Sequence, residues 1–185
     1  MAATGKKGAY EPSMSDEAVK AKTGKTWPQW FAALDKAKAH MKSHDEIAGI
    51  VEKLGAGRWW HAMVTVEYER ARGLREKHQT ASGYSVSVSK TVACDLGDLF
   101  AAASGEALRK KWMPKGKFVE SSQTKDKYWR GSWNGDARLE INFYAKGEGK
   151  SQITIQVNKL KEKDAVEVER AAWKAAAEKL VGMLT

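Results

Sequence analysis

The hydrophobic period of this chain changes once, near Gly83, and that change limits the fold more than any other feature of the sequence. Before it, apolar residues recur at helical spacing. Ile47, Ile50, Val51 and Leu54 form an i, i+3, i+4, i+7 stripe, and Trp60, Met63, Val64 and Tyr68 share a second face. After it, Tyr84, Val86, Val88 and Val92 alternate with Ser85, Ser87, Ser89 and Thr91, the period of a strand with one covered face. A chain that switches from 3.6 to 2 is α+β in two successive parts.

The first part reads as four helices joined by short turns. Asp16 to Lys22 ends at Gly24, a C-cap. Thr26 caps a helix with Pro28 in its first turn and Gln29 closing a capping box, and this helix is predicted to reach His40. Ser43 and Glu46 form a second capping box, and the helix they start stops at Gly55 and Gly57. Arg58 to Arg72 is the fourth, with Trp59 and Trp60 as packing anchors.

The second part reads as five strands, two short helices and one long helix. The strands are 84–92, 117–122, 127–133, 137–145 and 151–158, with helices over 96–103 and 106–112 after the first. Asn134-Gly135 predicts a two-residue hairpin turn, since both residues tolerate positive φ. Val166, Trp173, Ala177, Leu180 and Leu184 lie on one stripe of a final helix that Asp164 caps, long enough to cross the sheet. The predicted organisation is a flexible tail over 1–13, a helical domain over 14–82 and a second domain over 83–185.

Eight tryptophans in 185 residues favour dense packing or an aromatic-lined cavity. The net charge of +9 points toward anionic partners. Each half carries part of it, +4 before Gly83 and +5 after, and acids read as interleaved with bases, so specific nucleic-acid binding is not expected. Cys94 is the single cysteine and cannot close an internal disulfide, which predicts a reducing, cytoplasmic setting. No segment has the length and apolarity of a signal peptide or a membrane span, so no membrane partner is expected.

The order from Tyr84 resembles the helix-grip order of the START-like, Bet v 1-like superfamily. The stretch Leu139-Glu140-Ile141-Asn142-Phe143-Tyr144-Ala145-Lys146-Gly147-Glu148-Gly149-Lys150-Ser151, followed by Ile153 and Ile155 and by the Trp173 helix, is similar to the branch named for the activator of the heat-shock protein 90 ATPase. That resemblance covers about residues 84–185. Residues 14–78, with Thr23-Gly24-Lys25-Thr26-Trp27-Pro28-Gln29-Trp30-Phe31 and the Trp59 to Gly73 run, resemble a bacterial helical domain of unknown function. The first resemblance implies a fold that holds a small apolar ligand or docks a protein partner, with a chaperone or stress role by analogy. Five strands are fewer than such folds usually have, which implies a small cavity, at or below about 300 Å³.

The candidate residues carry two readings each. Phe100, Trp112, Trp129, Trp133, Phe143 and Trp173 either line an apolar pocket or fill the core between helix and sheet. Arg58, Arg70 and Arg72 lie on the second of two helices joined by a short turn, which gives an alternative as a nucleic-acid-associated regulator, opposed by Glu67, Glu69 and Glu76 among them. His40 and His44 are four apart, but Ser43 starts a helix between them, so no metal site is expected. No cofactor is called for: the chain holds no P-loop, dinucleotide fingerprint or nucleophile elbow, and Cys94 has no histidine beside it in sequence. The expectation is a non-catalytic binding or adaptor protein.

Overall fold

The computed structural model describes residues 10–184, and for Arg58 its backbone only. Contacts divide the chain into two compact units, one ending at Lys77 and one beginning at His78.

The first unit is α1 (Asp16–Thr23), α2 (Trp27–Lys36), α3 (His44–Lys53) and α4 (Arg58–Ala71), with a 3-10 turn at Ala39–Met41. Both predicted capping boxes form: Thr26 with Gln29, and Ser43 with Glu46. Gly24 ends α1 in the left-handed region, φ 78°. α2 stops four residues short of the predicted His40, because Lys38 turns left-handed at φ 52° and redirects the chain into the 3-10 turn. The core holds Val19, Trp27, Trp30, Leu34, Ile47, Val51, Val64 and Tyr68. Its buried indoles are satisfied locally. Trp30 Nε1 donates to Thr23 Oγ1 at 2.8 Å, and Trp27 Nε1 to the Met14 carbonyl at 2.9 Å. Trp59 is not the anchor expected of it. It is 64% exposed, lying edge-on against Trp60 at 4.7 Å. Of the tail expected over 1–13, residues 1–9 lie outside the described residues. Tyr10 packs edge-on against Phe31 and donates its hydroxyl to Glu67 at 2.7 Å.

The second unit is an α+β helix-grip arrangement, with a long C-terminal helix across an antiparallel sheet. Its elements are β1 (Gln79–Thr80), β2 (Gly83–Val92), α5 (Leu96–Ser104), α6 (Glu106–Trp112), β3 (Phe118–Thr124), β4 (Tyr128–Trp133), β5 (Ala137–Ala145), β6 (Ser151–Leu160) and α7 (Asp164–Gly182). The sheet has six strands in the order β1-β2-β6-β5-β4-β3, all neighbours antiparallel. The sequence reading missed β1, a two-residue strand without an apolar pattern. The β4–β5 turn also differs. Trp133 pairs with Ala137, so three residues, Asn134, Gly135 and Asp136, make the turn. Asn134 (φ 48°) and Gly135 (φ 102°) take the left-handed conformations that their types allow. α7 starts at Asp164, which is therefore not its cap; Lys163 holds the cap position and makes no capping bond.

Register explains the core. Leu139 faces Val157, Ile141 faces Ile155 and Phe143 faces Ile153 on the covered side of β5 and β6. Val166, Trp173, Ala176, Ala177 and Leu180 form the buried stripe of α7 that closes over that side. No helix among the described residues is long and apolar enough to cross a membrane.

Candidate functional site

The six aromatic candidates come together in one core. Trp173 is fully buried, with its ring 5.0 Å from Trp133 and 6.1 Å from Trp112. Phe100 meets Phe143 edge-on at 5.1 Å. Each of the four indole N–H groups finds an acceptor. Trp112 donates to the Ala103 carbonyl, Trp129 to Glu120, and both Trp133 and Trp173 to Glu169, at 2.9–3.2 Å. Rings paired in this way, with satisfied donors, favour packed side chains over a cavity between sheet and α7.

Trp133 is the member of this set that also reaches a surface recess. The recess, of about 280 Å³, is lined by Arg109, Lys110, Met113, Pro114, Lys115, Gly116, Phe118 and Trp133. Three elements build it. α6 presents Arg109 and Lys110, and Pro114 follows its last turn. The loop to β3 is tied to the β4–β5 turn by two bonds: Lys117 N–H donates to Asn134 Oδ1, and Asn134 N–H donates to the Lys117 carbonyl, each at 2.9 Å. β3 supplies Phe118, paired in register with Trp133.

Two glycines set the floor. A Cβ on Gly131 would lie 2.6 Å from Cε2 of Phe118, so the bare backbone there makes room for the Phe118 ring, which stacks edge-on against Trp129 at 4.6 Å. A Cβ on Gly116 would lie 2.6 Å from Cζ2 of Trp133, so the loop sits directly on the indole. The result is an apolar floor with a rim of three cations and no acid. Lys110 pairs with Glu106 at 3.5 Å, both well exposed. Among the described residues, Arg109 and Lys115 have no ion-pair partner.

A second recess of about 270 Å³ lies beside Trp133, lined by the β4–β5 turn, Lys159, Lys161 and Glu169. Its charges cancel internally. Lys161 pairs with Asp136 at 2.8 Å, which lowers the Asp136 pKa and raises that of Lys161. Glu169 already accepts the two indole donors.

The alternative set on α4 looks different in place. Arg70 Nη1 donates to Glu67 at 3.0 Å, Arg72 forms a fork with Asp35, and the Arg58 side chain lies outside what is described. The same unit ties Glu69 to Arg75, and His44 Nδ1 lies 2.9 Å from Glu69 Oε1. Glu67 and Glu69 are buried, so these cations serve carboxylates of the fold. Grooves along Tyr10–Ser13 are larger, and one of about 540 Å³ is lined by Arg70, Arg75 and Lys77, two of which are committed in this way. Cys94 is half-buried and its pKa is raised, by burial first and then by Asp98 and Asp95, which disfavours the thiolate. No group of three or more metal-ligating side chains occurs among the described residues.

The sequence reading missed the cationic rim, although a signal existed. Arg109, Lys110, Lys111, Lys115 and Lys117 fall within nine residues that contain no acid. The chain from His78 on has eighteen Lys+Arg against thirteen Asp+Glu, so this segment equals its entire positive excess. Charge is therefore not interleaved throughout.

No family model matches the chain, and no curated protein matches it. Similar solved structures exist for about half of it. They include a protein from Mesorhizobium loti (12% identity, TM-score 0.49, covering 54% of this chain and 96% of that one). The Aha1 dimer from Colwellia psychrerythraea aligns at 10% identity and TM-score 0.47, over 52% and 92%. An AHSA1-like protein from Rhizobium etli aligns at 12% and 0.43, over 56% and 84%. The helical first unit is not covered by these alignments.

Proposed function

We propose that the second unit is a binding module for a small, largely apolar molecule, held against Trp133 and Phe118 under the α6–β3 loop. The observation that carries this reading is the recess itself. Its volume of about 280 Å³ is close to the lower end, about 300 Å³, of ligand sites, and its apolar floor rests on backbone that two glycines keep clear. The buried aromatic cluster packs behind it, so a ligand would rest on a supported wall. A lipid or sterol is larger than this space, whereas a one- or two-ring molecule fits.

The test is a titration of the full chain with neutral 2-naphthamide, followed by amide and indole N–H chemical shifts. Saturable shifts are expected at Gly116, Phe118 and the Trp133 indole. No saturable shift, or shifts confined to the first unit, overturns the reading. Nucleic-acid binding through α4 has less support, since Arg70 and Arg72 are each held by a carboxylate.

A further inference from the structure

Resting on that reading, we infer that the ligand is an organic oxyanion: an apolar body lies on Trp133 and Phe118, and its charged group faces Arg109 and Lys115.

Three observations converge. The positive excess of the second unit is concentrated in residues 109–117, the segment that closes the recess. Arg109 and Lys115 have no ion-pair partner among the described residues, and Arg109, whose guanidinium lies 6.0 Å over the Trp129 ring, keeps its charge unneutralised in a chain where other arginines are paired with acids. The lining holds no carboxylate that would oppose an anion, whereas the neighbouring recess beside Glu169 does. A guanidinium on the rim offers paired donors to a planar or tetrahedral oxyanion, and the ammonium of Lys115 adds a point charge.

Size and charge pattern separate this ligand from a nucleic acid. A phosphodiester strand needs a track of cations along its length and bases stacked in series. Outside 109–117 the second unit has thirteen cations and thirteen acids, so the rest of the unit adds no net positive charge. The charge is local, as a single head group requires.

The experiment compares 2-naphthoate, 2-naphthyl phosphate and neutral 2-naphthamide on the full chain at about 50 mM salt, read by the same chemical shifts and by calorimetry. At least one of the two anions should bind about tenfold more tightly than the amide. The better anion identifies a carboxylate or a phosphate ester as the head group. The double variant Arg109→Gln/Lys115→Gln should lose that preference, the affinity of the better anion falling to that of the amide measured on the same variant. Lys115 is exposed and Arg109 half-buried, and an unchanged unfolding midpoint verifies the fold. Equal binding of anion and amide overturns the inference and leaves the proposed function standing. No binding of any probe removes both. A preference that survives in the double variant also overturns it, as does a single-stranded oligonucleotide that outcompetes both anions at the same residues at 200 mM salt.

Discussion

In the helical unit, Arg70, Arg72 and Arg75 end on Glu67, Asp35 and Glu69, while in the sheet unit Arg109 and Lys115 end on no acid. Both units are basic, and a charge count treats them alike. Their structures do not. The first uses cations to neutralise its own acids, the buried Glu67 and Glu69 and the half-exposed Asp35, so this charge is spent within the fold. The second satisfies its four buried indoles with carboxylate and carbonyl acceptors, and two cations of its rim, Arg109 and Lys115, pair with no acid among the described residues. Available charge, rather than total charge, marks the candidate site.

The contrast is broken first at the cores. Trp173→Ala removes a fully buried ring that touches Trp112 and Trp133, and it frees Glu169 from one of its two donors. A loss of about 3–5 kcal/mol is expected in urea unfolding followed by sheet-unit amides. An unchanged midpoint would show that the α7 stripe has been placed on the wrong face. Gly116→Ala is the next largest. Its Cβ has no room beside Trp133, so the loop or the indole must move, at a cost of about 1–3 kcal/mol and with weaker naphthamide binding. A variant with normal stability and normal affinity would mean that the recess does not depend on this close approach.

Much of the fold could be read from periodicity. The capping boxes at Thr26 and Ser43, the covered faces of β5 and β6 and the stripe of α7 all follow from residue type and spacing. What could not be read depends on contacts distant in sequence or on local backbone. β1 has no pattern because two residues cannot show one. The end of α2 is set by a left-handed Lys38, a conformation that its residue type does not announce. The aromatic set was visible, but whether it surrounds a space or fills one depends on how six rings pack. The recess takes its floor from β3 and β4 and its rim from α6, and is closed by a loop hooked to Asn134, a pairing that no sequence spacing reveals.

Tyr68 tests the internal pairing of the helical unit. Its buried hydroxyl donates to Asp35 at 2.8 Å, and burial, followed by that bond, pushes its pKa up to about 12. Tyr68→Phe should cost about 1 kcal/mol. A group with a raised folded pKa contributes stability that is fully present below its unfolded value, near 10, and is lost as pH rises through the folded value. The first unit should therefore weaken from about pH 10 to about pH 12, and the Phe variant should lack this contribution. Asp35 works in the opposite direction. The hydrogen-bonded Arg72 fork holds its carboxyl below the ordinary value of 3.8, so its contribution is present above that value and fades as pH falls below it. Identical pH–stability curves for the Tyr68→Phe and unaltered proteins above pH 10 would remove the pairing argument.

The smallest expected effect is the most discriminating. Arg72→Gln should cost up to about 1 kcal/mol, because the guanidinium both forks Asp35 and lies over the Phe31 and Tyr68 rings at 5.5 and 5.3 Å. Lys115→Gln should change stability by less than about 0.5 kcal/mol, because Lys115 is exposed and has no ion-pair partner among the described residues. The order reverses for ligand. Lys115→Gln should weaken 2-naphthoate or 2-naphthyl phosphate more than it weakens 2-naphthamide, and Arg72→Gln should alter none of the three. Paired unfolding and titration measurements on the two variants check both halves. A Lys115 variant that loses more than about 1 kcal/mol would place that cation in the fold, and the distinction between spent and available charge would fail at the residue chosen to show it.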